Sequence, residues 1–218
     1  MKPDAKFISF EGIDGCGKST LLDRLCAWLD ESRIPHIRTR EPGGTFLGES
    51  IRRLLLDPAY HMMDAWAEVF LYTASRAQLV REVIKPALQD GVWVVADRFI
   101  DATLAYQGYG RRLDVQRLRQ IQAWASDDLW PDHTVLLDCD VHVALERLHD
   151  RLEVADRMEL QQVSFHQRVR QGYLELAQAE PQRFVILNGE KPLTEVVQDL
   201  LTLFWHPHCH RSRQVAAQ

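Results

Sequence analysis

The residues Gly12-Ile13-Asp14-Gly15-Cys16-Gly17-Lys18-Ser19 carry the full G-x-x-x-x-G-K-[ST] spacing of a phosphate-binding loop. Glycines let the backbone curl until successive N–H groups point inward at phosphate oxygens. A helix starting at the loop's end adds its positive pole. Lys18 is a point charge suited to β and γ phosphates, and the Ser19 hydroxyl is a ligand for Mg²⁺. A second motif, Val92-Trp93-Val94-Val95-Ala96-Asp97-Arg98, closes an apolar run on an acid and a base. A carboxylate there holds Mg²⁺ directly or through water, and Arg98 would face a phosphate. Asp138, which closes Val135-Leu136-Leu137, is a rival for the metal role.

Further candidates are weaker singly. Arg40, in Thr39-Arg40-Glu41-Pro42-Gly43-Gly44-Thr45, can reach an anion near the phosphate loop or simply satisfy surface carboxylates. Tyr72 and Arg76 are four residues apart and project from one helix face, so a ring and a guanidinium could meet a planar base. Core tyrosine beside a solvated arginine is the bland alternative. Thr103, Tyr106 and Gln107 stand in a stretch, residues 101–111, that lacks periodicity and is expected to be a loop offering donors and acceptors to a base edge. From Val141 to Arg157 the chain is densely charged, and helical spacing puts Arg147 and Arg151 on one face. Such a segment is either a lid that closes over transferring phosphoryl groups or a solvated helix face.

The elements that must position these groups are legible as an alternation. Five apolar stretches, 6–10, 36–39, 92–96, 134–137 and 183–187, read as strands, with helical patterns between them. The expectation is an α/β fold of phosphate-loop NTPase type, with a five-stranded parallel sheet covered by helices on both faces and a small lid. Ligands in such folds sit at the carboxyl ends of the strands, so the polar groups after each strand are site candidates. With 218 residues and 46% hydrophobic residues, one domain over 1–205 is expected, with a lid at about 148–160 and a disordered tail over 206–218 that carries His206, His208, Cys209 and His210. Net charge of −5 with scattered basic residues argues against a nucleic-acid surface, and no apolar run is long enough to span a bilayer. Four cysteines without C-x-x-C spacing, one inside the phosphate loop, point to reduced thiols and a cytoplasmic setting.

Taken together, FEGIDGCGKST at 10–20, TREPGGT at 39–45, the Tyr72/Arg76 helix, ADRF at 96–99, TLAYQG at 103–108 and DRME at 156–159 make the chain resemble bacterial thymidylate kinases. The resemblance covers nearly everything from Lys6 to about Leu200 and implies ATP-dependent, Mg²⁺-dependent phosphorylation of dTMP to dTDP by a homodimer. It implies that Gly12, Ile13, Asp14, Gly15, Cys16, Gly17, Lys18, Ser19 and Thr20, with Arg147, hold ATP. Asp14, Arg40, Tyr72, Arg76, Arg98, Thr103, Tyr106 and Gln107 would hold dTMP, with Tyr72 in a position usually given to a stacking phenylalanine. Lys18, Asp97, Arg98 and Arg151 would carry catalysis, and Ser19 and Asp97 the metal. Some members place a catalytic arginine inside the phosphate loop; this chain has Gly15 there, which shifts that duty to the lid and Arg151.

Overall fold

A computed structural model describes residues 5–150 and 155–204. The strands are β1 (Phe7–Glu11), β2 (His36–Arg40), β3 (Trp93–Asp97), β4 (His133–Asp138) and β5 (Phe184–Asn188). They form one parallel sheet in the order β2-β3-β1-β4-β5. Each ends one residue later than the apolar pattern predicts, because backbone pairing continues through the first polar residue. Glu11, Arg40, Asp97, Asp138 and Asn188 are therefore terminal strand residues, aligned along one edge. All five residues of β1 are buried although its side chains alternate in direction, so both faces of the sheet centre are covered.

Helix α1 (Lys18–Glu31) starts directly at the phosphate loop and buries Leu21, Leu22, Leu25 and Leu29. Thr45 caps α2 (Phe46–Leu56) by accepting from Gly48 N at 2.9 Å. The helix expected to carry Tyr72 and Arg76 is α3 (Ala65–Leu79), which continues through a π-helical turn (Val80–Ile84) into α4 (Lys85–Gln89). After β3 come α5 (Ile100–Thr103), a π-helical segment (Leu104–Gly110) and α6 (Val115–Ser126). Helix α7 (Val141–His149) follows β4, and α8 (Val163–Ala179) and α9 (Leu193–Phe204) are the last helices among the described residues.

One expectation is corrected here. Residues 101–111 are not a surface loop: Leu104 to Gln107 are all buried, and the helical run packs against α8. Arg157, grouped by sequence with the charged lid residues, is also buried. Its Nε donates to Leu55 O at 2.7 Å and its backbone N–H to Leu56 O at 2.9 Å, which ties Arg157 to α2. The expected tail and Arg151 lie outside the described residues.

Candidate active site

The phosphate loop bends at Gly12, Gly15 and Gly17, all with positive φ. At Gly15 the constraint is double. Its φ is +83°, and a Cβ there would stand 2.1 Å from the backbone oxygen of Ala144 in α7. Position 15 has no room for a side chain of any size. Lys18 is buried and donates to Ile13 O at 2.9 Å across the loop. Ser19 Oγ donates to Asp97 Oδ2 at 3.4 Å, so the loop hydroxyl and the acid closing β3 share one spot. Asp138, the rival acid, is gripped by Arg170 from α8 through Nε at 2.7 Å and Nη2 at 3.0 Å. That bidentate pair uses both of its oxygens.

Beside the loop is a compact polar knot. Arg98 adopts φ +70°, an uncommon conformation for a non-glycine residue. Its Nη1 donates to Gly12 O at 2.8 Å and Tyr173 Oη at 3.0 Å; its Nη2 donates to Asp14 Oδ1 at 2.6 Å and Tyr106 Oη at 3.0 Å. The Tyr106 hydroxyl in turn donates to Asp14 Oδ2 at 2.8 Å. Burial alone would raise the Asp14 pKa, but the charges of Arg98 and Lys18 outweigh it and hold the carboxyl well below its usual range. Behind the knot, Glu11 accepts from Phe99 N and Tyr173 Oη, both at 2.7 Å. Desolvation, with Asp101 nearby, pushes the Glu11 pKa up to about 8.

Next to this knot opens a cavity. Tyr72, Arg76, Thr103, Tyr106 and Gln107 line it together with Asp14 and Arg98. Tyr72 is half-buried, and its hydroxyl has no hydrogen bond among the described residues. Burial and the Glu68 charge hold its pKa well above the ordinary tyrosine value. Arg76 is not a solvated helix residue. It is buried, with all its N–H groups engaged: Nε on Glu41 Oε2 at 2.7 Å, Nη1 on Thr103 Oγ1 at 3.0 Å and on Gln122 Oε1, and Nη2 on Phe99 O at 3.0 Å and on Glu41. A second cleft, sharing Asp14, Glu41, Arg52, Arg98 and Asp156 with the first, runs past Lys18, Ser19, Arg40 and Asp97. The structure thus brings the two groups of sequence candidates to adjoining cavities.

Arg40 is exposed and pairs with Glu49, which also accepts from Gly44 N, both at 3.0 Å. Arg147 donates to Gly189 O at 3.0 Å and approaches Cys16 O at 3.5 Å, spanning the phosphate loop and the turn after β5. Sequence reasoning missed Arg52, which lines both cavities and donates to Pro42 O at 2.9 Å. It also missed Tyr173 and Glu11. Tyr173 follows Phe165 and Val169 at four-residue spacing, so the pattern marks it as core, which it is, while its hydroxyl reaches the site.

A parallel sheet with a phosphate loop after its central strand, and an acid and a base closing the neighbouring strand, defines a phosphate-loop nucleotide-binding protein. Residues 10–200 match the family model described as thymidylate kinase. Over 195 residues the chain is 49% identical to a thymidylate kinase of Carboxydothermus hydrogenoformans, covering 89% of this chain and 94% of that one. It is 47% identical over 197 residues to one from Symbiobacterium thermophilum, covering 90% and 91% of the two chains. Against one from Lactobacillus acidophilus the identity is 43% over 198 residues, covering 90% and 92%. The chain belongs to the thymidylate kinase family.

Proposed function

We infer that the protein catalyses transfer of the ATP γ-phosphoryl group to dTMP, giving dTDP and ADP. The observation that carries this is the adjacency of two cavities, one beside the phosphate loop and one lined by Tyr72, Arg76 and Gln107, joined through Asp14 and Arg98. Phosphoryl transfer asks the protein for in-line positioning and charge compensation rather than covalent chemistry. The loop amides from Gly12 to Thr20, Lys18 and Arg147 hold ATP. Arg40 and Arg98 clamp the acceptor phosphate, Asp14 and Tyr106 face its sugar, and Tyr72, Arg76, Thr103 and Gln107 surround the base.

Ser19 and Asp97 would hold Mg²⁺. A hydroxyl beside one carboxylate suits this ion, which is commonly completed by phosphate oxygens and water rather than by an all-protein cage. When bound, Mg²⁺ compensates charge on the β and γ oxygens. Arg151 is the lid arginine that supplies the remaining charge, since Gly15 leaves the loop without one. Arg151→Ala is expected to lower kcat far more than it raises the KM for dTMP, and unchanged turnover would remove it from the mechanism. The expected assembly is a homodimer. Cys16, Cys26 and Cys139 are free thiols, in keeping with a reducing cytoplasm.

Coupled ADP release measured with dTMP, dUMP, dCMP, AMP and thymidine tests the reaction. The highest kcat/KM is expected with dTMP. Comparable turnover of AMP or thymidine would point to a different nucleotide kinase.

A further inference from the structure

Behind the base-side wall lies a carboxylate to which the phosphoryl-transfer chemistry gives no task. Glu68, in the first turn of α3, is fully buried. Its Oε1 accepts from Gln107 Nε2 at 2.8 Å and Arg111 Nε at 3.2 Å; its Oε2 accepts from Arg111 Nη2 at 3.1 Å and forms an ion pair with Arg157 Nη1 at 2.6 Å. Burial alone would raise its pKa, but the bonds from Arg111 and the charges of Arg111 and Arg157 hold it below the ordinary glutamate value. Glu68 is therefore ionised at neutral pH, and an ionised carboxylate only accepts.

That property decides how Gln107 stands. A primary amide has a donor end and an acceptor end of nearly the same shape, and only its partners fix which way round it sits. Facing Glu68, the nitrogen end is the one that bonds. The Gln107 carbonyl oxygen is then the end left over, with no donor among the described residues, on a side chain that lines the cavity.

We propose that Glu68 is a positioning residue that locks the Gln107 amide with its acceptor toward the base, selecting pyrimidines that carry an N3–H donor. It rests on the placement of the base against Gln107 given above. Thymine and uracil have a proton on N3; cytosine has a lone pair there. Against a locked acceptor, cytosine brings acceptor to acceptor in a buried site, where an unpaired polar group is costly. A freely turning amide would accommodate either. Through the same carboxylate Glu68 also holds Arg157, which bonds to Leu55 O and Leu56 O.

The test is the ratio of kcat/KM for dTMP to that for dCMP. In Glu68→Gln the new amide can donate as well as accept, so the lock is released. The ratio is expected to fall about 10-fold or more, through a rise in KM for dTMP and a fall for dCMP, with the KM for ATP within about twofold of its original value. A purely structural defect would depress both acceptors together and leave the ratio unchanged. Glu68→Asp keeps an acceptor-only group and should largely preserve the ratio. If Glu68→Gln does not fold, Glu68→Gln/Arg157→Met removes the buried counter-charge as well, and the same fall is expected. An unchanged ratio in whichever folded variant lacks the carboxylate overturns the proposal. Gln107→Leu separates the two levels: a ratio unmoved there would place the base away from Gln107, a failure of the site assignment rather than of Glu68.

Discussion

At the scale of single residues, the strongest constraint in the site is an absent side chain. Gly15 has positive φ, and its Cβ position is filled by the Ala144 backbone. A backbone atom cannot rotate aside as a side-chain tip can. Replacing Gly15 by alanine or arginine must therefore push α7 off the phosphate loop or reshape the loop itself. Both substitutions are expected to lower Tm and raise the KM for ATP, and Gly15→Arg is expected not to restore a loop-borne catalytic charge. An arginine variant with intact stability and turnover after Arg151→Ala would contradict this. The same geometry leaves no room at position 15 for a loop-borne arginine. Helix α7 sits too close.

At the scale of elements, the strands and the phosphate loop were legible because their signals are local. An apolar run ending in Asp97 and a glycine-spaced lysine and serine need no distant partner to be recognised. The segment from Ile100 to Gly110 was illegible for physical reasons. Its i→i+5 bonding shifts the side-chain period away from that of an α-helix, Gly108 and Gly110 weaken any helical propensity, and burial on all sides erases the amphipathic stripe. Arg76 was named as a site residue, but its burial was not legible, for a related reason: its partners Glu41, Thr103 and Gln122 are far away in sequence, so spacing on α3 alone suggests a solvated arginine. Arg157 was hidden in the same way.

The π-helical segment is held by close approach to α8. A Cβ on Gly172 would lie 2.5 Å from the ring of Tyr109, and one on Gly110 would lie 2.7 Å from Phe165. Gly172→Ala therefore overpacks this contact and is expected to cost about 1–3 kcal/mol of stability. It should also displace the run that carries Tyr106 and Gln107. Chemical denaturation would read the first effect, and a KM for dTMP raised more than that for ATP would read the second. A destabilised variant with both KM values unchanged would show that α8 supports the segment without setting its position.

At the scale of the whole molecule, large aromatic side chains stand exposed on two neighbouring helices. Phe70 on α3 is 57% exposed, with Trp66 beside it at a ring-centroid distance of 6.2 Å, and Trp124 on α6 is 87% exposed. The two helices are joined by Gln122 Nε2 donating to Thr73 Oγ1 at 2.8 Å, so these aromatics belong to adjacent elements. Large exposed aromatics on neighbouring helices suit an interface core, and a two-fold pair would present the same patch from both chains. Both helices also support the first cavity, α3 through Tyr72 and Arg76 in its lining and α6 through the bond from Arg76 to Gln122. Association through this face would buttress the site from behind. Phe70→Glu points its charge to solvent in an isolated chain, so the fold should persist; in a two-fold pair it enters twice, setting like charges near one another. Sedimentation is expected to give the mass of two chains for the original protein and of one for the variant, with a higher KM for dTMP in the dissociated form. A variant that remains paired would move the interface to another face, and an original protein that sediments as a single chain would leave the α3–α6 surface without this role.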